Sequence, residues 1–279
     1  MSATWTQKET GMTFKSAPRI SVGKVLDMDV ITVYPTFSIG LKDTDHDAYI
    51  SGYPDRLVRP NNTLTRAEAA QIIFELMTDE SKAKYDKKAG KTFIDVGKDH
   101  WAYEAITMMT KANILVGIGD GRFDPDAVMT REQFATMIAQ LFMIKINQPI
   151  AGFIFKDLNG GFADKYISFL YALGILEGKG DNMFGPKDSL TRAQAITVVN
   201  KLIGRLPGEG ATSFGAVADQ MKTWPDNMDT TAWYYAAIQE ATNSHDYTLD
   251  VNFNTFGDLK GDIFQNIKHP VTERWTLIR

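Results

Sequence analysis

Three segments of this chain share one strict register, and an internal repeat of this kind constrains the fold more than composition does. Each segment runs from a glycine to a proline eight residues later, then to a Thr-Arg pair that starts five residues after the proline. The fourth residue is aspartate in every copy. Because three copies keep these distances, the chain is predicted to fold as equivalent units packed against one another. The segments are 52–66, 117–131 and 178–192, with Leu57, Phe123 and Phe184 expected to anchor them in the core.

A second module recurs out of phase with the first. It has an aspartate two residues after an aromatic, followed by an aromatic-led helical pattern, and covers 92–117, 154–178 and 223–247. Since a lone half repeat cannot bury its apolar face, the C-terminal half is expected to complete the N-terminal one in a closed pseudo-threefold domain. The predicted divisions are an extended or strand-forming arm at 1–45, a half repeat at 46–77, complete repeats at 92–143 and 154–203, a closing half repeat at 222–248 and a tail at 249–279.

Each Thr-Arg pair opens an amphipathic helical pattern. Apolar residues from Ala69 to Leu76 follow Arg66 at helical spacing, and similar patterns follow Arg131 and Arg192. Three such helices at equivalent positions predict a central three-helix bundle in a mainly α fold. Elsewhere the sequence predicts one or two strands or an extended arm at 13–41, loops at 78–91, 204–222 and 248–262, and a degenerate fourth helix or a packed tail at 266–278.

Composition narrows the classes of function. The chain is 44% hydrophobic with a net charge of −4, which is typical of a globular protein with a core and argues against a nucleic-acid binder. Cysteine is absent, which excludes disulfides, thiolate metal sites and cysteine nucleophiles. There is no run of about 18 apolar residues that would predict a membrane span. The first residues lack the pattern of a signal peptide, so an exported protein would be represented by a mature form or a fragment.

The Thr-Arg pairs combine a helix start with a cation that the helix does not need. Each threonine precedes Glu or Gln by three residues, which is the pattern of a capping box. The helix dipole mildly opposes a cation in the first turn. A guanidinium beside free helix amides makes a seat for a carboxylate, whereas the alternative is an ion pair with an acid of the neighbouring repeat. The arginines are Arg66, Arg131 and Arg192, after Thr65, Thr130 and Thr191.

Two further residue types in the second module invite both a structural and a binding interpretation. Asp95, Asp157 and Asp226 precede helices, so each either caps a helix or turn or accepts hydrogen bonds from sugar hydroxyls. Trp101 and Trp233 either stack on the face of a sugar or fill the core beneath the loops.

The sequence predicts neither a metal site nor a cofactor. The acids of the loops do not match the spacing of an EF-hand, and a role in turns accounts for them. The histidines show no spacing typical of metal ligands, and no motif of a serine hydrolase or a phosphate-binding loop is present, so the chain is not expected to be an enzyme. The loop acids are Asp55, Asp120, Asp124, Asp126 and Asp181, and the histidines are His46, His100, His245 and His269.

The combined motifs resemble the S-layer homology family. They are FIDVGKDHWAYEAI at 93–106, ILVGIGDGRFDPDAVMTREQFA at 114–135 and LTRAE at 64–68, and the resemblance covers about 46–248. The out-of-phase arrangement is similar to the anchoring regions of clostridial-type surface proteins. The resemblance implies three prongs around a central three-helix bundle, at the surface of a Gram-positive-type cell wall.

The resemblance also implies a ligand and its contacts. The expected partner is a secondary cell-wall polysaccharide with pyruvylated amino sugars, bound without catalysis in the grooves between prongs. The implied ligand-binding residues are Arg66, Arg131, Arg192, Asp95, Asp157, Asp226, Trp101, Trp233, Gly52, Gly117 and Gly178.

The copies depart from one another at positions that matter for binding. The acid of the LTRAE motif is Glu68 in the first copy but Gln133 and Gln194 in the others, and the tryptophan is replaced by Phe162 in the middle copy. The three grooves are therefore expected to be unequal. The alternative function is a structural or self-assembly module whose grooves bind protein partners.

Overall fold

Helices dominate the part of the chain that the computed structural model describes, namely residues 5–6, 13–14, 37–43, 45–142, 155–205, 214–251 and 271–278. This confirms the predicted mainly α class. The helices are α1 (Arg66–Leu76), α2 (Asp79–Asp86), α3 (Tyr103–Lys111), α4 (Arg131–Gln140), α5 (Asp164–Ala172), α6 (Arg192–Leu202) and α7 (Tyr235–Thr242), with a 3₁₀ turn at Gly215–Gln220. The strands form two antiparallel pairs, β1 (Trp5–Thr6) with β2 (Thr13–Phe14) and β3 (His245–Val251) with β4 (Val271–Ile278).

The three helices that follow the Thr-Arg pairs start as predicted. In α1, α4 and α6 the threonine hydroxyl accepts from the backbone N–H of the third helical residue, and the Glu or Gln side chain accepts from the threonine N–H. Reciprocal caps of this kind satisfy two of the amides that a helix leaves unpaired at its start. The helix boundaries are therefore set locally by the repeated sequence.

A ring of backbone hydrogen bonds joins the starts of these helices around the pseudo-threefold axis. Leu64 N–H donates to Leu190 O at 2.8 Å, Leu190 N–H to Met129 O at 3.0 Å, and Met129 N–H to Leu64 O at 2.9 Å. All three side chains are buried. The ring closes because each copy places the residue at the equivalent position, two before its arginine, at the same distance from the axis.

Outer helices surround the ring in the same cyclic order. α1 packs on α3, α4 on α5, and α6 on α7, so each second-half helix contacts the first half that follows it along the chain. The apolar faces of these six helices share one core. None of the helices in the described residues is long and apolar enough to cross a membrane.

Several segments differ from the expected secondary structure, among them the 3₁₀ turn at Gly215–Gln220 within the predicted loop at 204–222. Residues 79–86, predicted as loop, form α2, because the Thr78 hydroxyl caps it by accepting from Ser81 N–H and Tyr85 anchors it through a hydrogen bond to Ser38 O at 3.0 Å. Of the two alternatives for 266–278, the helix is wrong for 271–278, which form β4, whereas a packed tail agrees with the contact between Trp275 and Phe214. The start of the predicted loop at 248–262 belongs to β3. The buried Trp275 packs on Phe214, with ring centroids 4.5 Å apart, and fixes which face of β4 is covered.

The predicted N-terminal arm is described only in part. Within 1–45 the structure places β1, β2 and an extended stretch that bridges Phe37 to Phe142 and Leu41 to Met77, at the ends of α4 and α1. The remaining residues of the predicted strands at 13–41 lie outside the described part of the chain.

Candidate functional site

Asp95, Asp157 and Asp226 hold in place the loops at 52–66, 117–131 and 178–192, which are called the prong loops below. Each carboxylate accepts hydrogen bonds from two consecutive loop amides, which supports the interpretation of these residues as turn acids. The loop belongs to the same repeat for Asp95 and Asp157, and to the N-terminal half repeat for Asp226. The donors are Phe123 (2.9 Å) and Asp124 (2.7 Å) to Asp95, Phe184 (2.9 Å) and Gly185 (2.6 Å) to Asp157, and Val58 (3.0 Å) and Arg59 (2.7 Å) to Asp226.

These hydrogen bonds shift the titration of two of the carboxyls. Burial alone would raise the pKa of Asp95 and of Asp157, but the backbone N–H groups that donate to each carboxylate outweigh it and lower both pKa values. Arg122, whose Nε lies 3.7 Å from Asp95 Oδ2, adds to the lowering. Both aspartates are therefore ionised at neutral pH and committed to the loops.

The loop glycines are required by the close approach of an aromatic ring. A Cβ at Gly117 would lie 2.6 Å from the Phe93 ring, and one at Gly178 would lie 2.6 Å from Phe155. At Gly52 it would lie 2.0 Å from the Trp224 ring, which belongs to the closing half repeat. The structure thus explains these glycines by packing, beside any role in binding.

The residues that anchor the prong loops are Phe123, Phe184 and Val58, all fully buried. The expectation for Leu57 is wrong, since its side chain is only partly buried. The position six residues after the first glycine of each loop is Val58, Phe123 or Phe184. Leu57 is also apolar and adjacent to Val58, so the sequence pattern alone does not show which of the two is the anchor.

Each of the three arginines crosses into the loop of the next unit in the ring. Arg66 Nε donates to Phe123 O at 3.0 Å and its Nη2 to Val116 O at 2.8 Å, while its guanidinium lies 4.5 Å from the centre of the Phe123 ring. The corresponding bonds are Arg131 Nε to Phe184 O (2.8 Å), Arg131 Nη2 to Glu177 O (2.9 Å) and Arg192 Nε to Val58 O (3.0 Å). The arginines therefore tie adjacent prongs together.

The seat of free helix amides expected beside these arginines does not exist. The first two amides of α1 donate to the neighbouring loop, Arg66 N–H to Ala127 O at 3.0 Å and Ala67 N–H to Pro125 O at 2.9 Å. The first two amides of α4 and α6 are paired in the same way, and the third is taken by the threonine cap in all three helices. An anion in a groove would therefore find no free amide at the starts of these three helices.

The three arginines differ in their electrostatic partners. Arg192 Nη1 lies 3.2 Å from Glu68 Oε1, an acid of the neighbouring unit, and Tyr53 donates its hydroxyl proton to the same carboxylate. The residue equivalent to Glu68 is a glutamine in the other two units. Gln194 takes its place opposite Arg131, and Gln133 takes its place opposite Arg66. Among the described residues neither Arg66 nor Arg131 has an acidic oxygen within 4.0 Å. The expected alternative of an ion pair between repeats thus holds for Arg192.

The two arginines that lack an ion pair are desolvated without a close counter-charge. Burial lowers the pKa of Arg66 and of Arg131, and acids farther away, Asp124 and Asp95 for Arg66 and Asp188 and Asp157 for Arg131, counteract only part of this. An arginine remains charged at any physiological pH. Arg66, which is buried, and Arg131, which is partly buried, are therefore cations whose charge is incompletely balanced by nearby acids.

A groove of about 210 Å³ brings several predicted site residues together. Arg131 from α4, Gly178 from the third prong and Trp233 from the closing half repeat line it, so it is built by three successive units. Three polar residues of α6, Gln194, Thr197 and Lys201, complete the wall. The sequence analysis singled out Gln194 but neither Thr197 nor Lys201, although all three repeat at helical spacing on one face.

The tryptophans are exposed, so the expectation that they fill the core is wrong. Trp101 is 61% exposed, Trp233 is 64% exposed, and Phe162 at the equivalent position is 59% exposed. Large aromatic side chains rarely stay in water at three equivalent positions unless something covers them. The pseudo-threefold axis relates Trp233 beside Arg131 to Phe162 in the Arg66 groove and Trp101 in the Arg192 groove.

The loop acids have no common centre in the part of the chain that the structure describes. Asp55 accepts from Arg59 Nη2 at 2.7 Å and from Leu57 N–H at 3.1 Å, as a turn acid does. Among the described residues a cluster of three potential metal-ligating side chains occurs at His46, Glu240 and His245. His46 and His245, whose sequence spacing does not suggest metal ligands, thus lie side by side although they are 199 residues apart in sequence.

Comparisons with known proteins agree with this geometry. The family model of the S-layer homology domain matches residues 47–70, 92–135 and 154–196. A cellulosome-anchoring protein of Acetivibrio thermocellus is 35% identical over 213 residues, which are 75% of this chain and 45% of that protein. Cell surface glycoprotein 1 of the same organism is 31% identical over 232 residues, 78% of this chain and 9% of that protein. The exoglucanase XynX, also of that organism, is 33% identical over 132 residues, 46% of this chain and 12% of the enzyme. The chain thus spans about half of the first relative and a small part of the other two.

Proposed function

The chain belongs to the S-layer homology family, and on that premise we propose that it is a non-catalytic module that binds an anionic secondary polysaccharide of the cell wall. By binding the polymer outside the cell, it would anchor a surface protein to the wall. The relatives named as a cellulosome-anchoring protein and a cell surface glycoprotein support this role. The proposed ligand unit is a pyruvylated amino sugar, and the domain uses no cofactor, nucleic acid or membrane insertion.

The observation that carries the proposal is the groove lined by Arg131 and Trp233. A ketal-linked pyruvate presents a carboxylate, and the Arg131 guanidinium keeps N–H groups beyond those donated to Phe184 O and Glu177 O. Charge-assisted bonds of a planar guanidinium to a carboxylate are directional and strong. The indole of Trp233 offers an apolar face for a sugar ring at the rim of the same groove. A single monosaccharide thus meets an anion contact and a stacking contact at once.

The pairing of Glu68 with Arg192 divides the grooves into two kinds. In the Arg192 groove the cation is already balanced by a carboxylate of the protein, so a ligand carboxylate gains less there and meets Glu68 as a like charge. In the Arg131 and Arg66 grooves the equivalent residues are glutamines. We assign anion binding first to the Arg131 groove, which also has the tryptophan, and second to the Arg66 groove, where Phe162 replaces it.

The lining of the groove supports binding rather than hydrolysis. Glycoside hydrolases mostly use two carboxyl groups on opposite sides of the bond that they cleave. The described lining of the Arg131 groove contains one, Glu177, which is ion-paired with Lys201. The similarity to the exoglucanase covers only 12% of that enzyme, which suits a shared accessory module.

Calorimetry with purified wall polymer tests the proposal. The polymer is titrated before and after mild acid treatment that removes the ketal pyruvate. Wild-type protein should bind the intact polymer and lose most affinity for the treated one. Arg131→Ala should weaken binding more than Arg66→Ala, and Arg192→Ala should have the smallest effect on affinity. Equal affinity of wild-type protein for both polymers removes the pyruvate contact, and unchanged affinity in both Arg131→Ala and Arg66→Ala removes the arginine role.

The exposed apolar side chains of one prong favour an alternative, in which the module binds copies of itself or a protein partner. Ile94, Val116 and Ile118 are each more than half exposed. Such side chains lie on a protein surface more often where another molecule covers them. Light scattering with and without polymer separates the two functions, because self-assembly should raise the mass without any polymer.

A further inference from the structure

The described residues contain a buried polar cluster that takes no part in the grooves. His46, Glu240 and His245 are 2%, 0% and 0% exposed. His46 Nδ1 lies 3.0 Å from His245 Nε2 and 3.1 Å from Glu240 Oε1, and His245 Nε2 lies 3.3 Å from Glu240 Oε2. Two imidazole nitrogens and a carboxylate thus converge in an interior where an unbalanced charge is strongly unfavourable.

The surroundings of the cluster determine which atoms face its centre. His245 Nδ1 lies 3.0 Å from Asn243 O, and because a carbonyl oxygen only accepts, Nδ1 carries the proton. In the neutral ring, Nε2 is then an acceptor, 3.0 Å from His46 Nδ1 and 3.3 Å from Glu240 Oε2. Trp275 Nε1 donates to Glu240 Oε2 at 3.1 Å, while Glu240 Oε1 is buried without a hydrogen bond of good geometry from the described residues. A proton on His46 Nδ1 can bridge to only one of the two acceptors beside it, His245 Nε2 or Glu240 Oε1, whereas a cation among the three atoms would contact both.

We propose that His46 Nδ1, His245 Nε2 and the Glu240 carboxylate bind one divalent transition-metal ion, with Zn²⁺ as the representative. Two histidines and one glutamate are a ligand set that zinc uses in proteins. Zinc–ligand bonds of roughly 2.0–2.2 Å in tetrahedral geometry place the ligand atoms roughly 3.3–3.6 Å apart. The observed separations of 3.0, 3.1 and 3.3 Å need only a small outward movement to match.

The neighbouring groups match those that support metal ligands elsewhere. A ligating histidine almost always donates its other ring N–H to a carbonyl or carboxylate, and ligating carboxylates are hydrogen-bonded in turn. Asn243 O plays the first role for His245, and Trp275 Nε1 plays the second for Glu240. Both histidine rings are also held by stacking, His46 on Tyr247 and His245 on Trp275, with ring centroids 3.8 and 3.7 Å apart.

The charges in and around the cluster act in both directions. Glu240 brings a carboxylate to the centre of the cluster, within 3.3 Å of both imidazole nitrogens, and would attract an added cation. The buried Arg205 opposes an added cation, although its Nη1 and Nη2 donate away from the cluster, to Asp47 O at 2.8 Å and Asp45 O at 2.7 Å. A competing occupant is a second proton on the histidine pair.

The position of the cluster gives the metal a structural role. His46 belongs to the start of the N-terminal half repeat, and Glu240 and His245 belong to α7 and β3 of the closing half. Backbone bonds from Tyr49 and Ile50 N–H to Ala241 O, both at 3.0 Å, join the same two segments. An ion at this point would connect the N-terminal half repeat to the closing half repeat. It would stabilise the folded state, because it binds only where the three ligands are assembled.

The test measures zinc on the full chain purified without a histidine tag. The protein is stripped with EDTA, dialysed against Zn²⁺ and then against zinc-free buffer, and its metal content is read by mass spectrometry. Wild-type protein should retain one zinc per chain, with a melting temperature that rises with free Zn²⁺. If stripped wild-type protein fails to retain near-stoichiometric zinc, the proposal is overturned without recourse to any variant.

Variants then locate the ion. His46→Ala and Glu240→Gln should each lose affinity by more than the roughly 10–100-fold typical of removing an outer partner of a metal ligand. His100→Ala removes a histidine outside the cluster and should retain zinc. Glu240→Gln keeps the side-chain volume, and circular dichroism checks that it folds. Zinc retained equally by wild-type protein and folded Glu240→Gln would place the ion elsewhere and refute the site, and a proton would then be the occupant.

Discussion

The Asp226 carboxylate accepts a hydrogen bond from the backbone N–H of Val58 at 3.0 Å across 168 residues of sequence. Its second oxygen accepts from Arg59 N–H at 2.7 Å. Asp95 makes the same pair of contacts with Phe123 and Asp124 inside one continuous repeat. The closing half repeat thus supplies to the N-terminal prong what a complete repeat supplies to its own prong.

We therefore expect Asp226→Ala to loosen the prong at 52–66. Removing the carboxylate leaves two partly buried amides without an acceptor, which costs about 1–3 kcal/mol. Urea unfolding should report the loss, and amide exchange should speed up at Val58 and Arg59 before it does in 117–131. Asp229→Ala is the control, because Asp229 accepts only within its own turn, from Thr231 and Ala232. Equal amide-exchange protection of 52–66 in both variants would rule out that Asp226 holds this prong. Unchanged protection of 52–66 after deletion of 222–279 would rule out the same role for the closing half repeat.

The second prediction concerns a carboxylate introduced into the Arg131 groove at the position that Glu68 occupies in the Arg192 groove. Gln194→Glu places a carboxylate opposite Arg131, as Glu68 stands opposite Arg192, and should lower affinity for the anionic polymer by about 10–100-fold at that groove. The capping box accepts Glu as well as Gln, so the melting temperature should not fall. Gln220→Glu adds the same charge outside the groove and should bind normally. Calorimetry that finds no difference between the two variants would exclude Arg131 as the anion contact.

The hydrogen-bonded aspartates predict a loss of stability in acid. The folded-state pKa values of Asp95 and Asp157 are lowered, so their stabilising contribution is fully present above the unfolded pKa of about 3.9 and is lost as pH falls through the lower folded values. Thermal unfolding between pH 7 and pH 2 should show this loss below about pH 4. The double variant Asp95→Asn, Asp157→Asn should be less stable at pH 7 and respond less to acid. The exposed Asp126→Asn should follow wild-type protein, and a double variant with the full wild-type acid response would contradict the assignment.

The parts of the fold that were predicted from sequence are those set by local rules. A threonine followed by Glu or Gln three residues later, before an apolar helical pattern, is a local signal for a capped helix, and α1, α4 and α6 follow it. The direction of Arg66 was not predictable in this way. Its side chain turns from its own helix to Phe123 O, 57 residues away, and a single sequence does not show which carbonyls return to that point.

The same limit explains the errors in the candidate site. The loop carbonyls that accept from the first amides of α1, α4 and α6 come from the neighbouring unit, so a helix start that is free by local rules is paired in the fold. β4 forms because it pairs with β3 from 245 to 251, a partner that its own pattern does not identify. His46 and His245 meet across 199 residues, which spacing rules for metal ligands do not cover. The sequence shows glutamine in place of Glu68 in the other copies. That this removes an ion pair follows only from the position of Arg192 in the fold.

Two tryptophans of the closing half repeat provide the last prediction, because they separate binding from folding. Trp233 is 64% exposed at the rim of the Arg131 groove, whereas Trp224 is 3% exposed, donates its indole N–H to Thr242 Oγ1 at 3.0 Å and packs against Gly52. Trp233→Ala should weaken binding to the polymer and leave the free energy of unfolding nearly unchanged. Trp224→Ala should lower the free energy of unfolding by about 3–5 kcal/mol, because it leaves a cavity beneath the N-terminal prong. Urea unfolding and calorimetry on both variants check this, and a Trp233→Ala protein that binds normally but unfolds more easily would assign Trp233 to the fold instead of the groove.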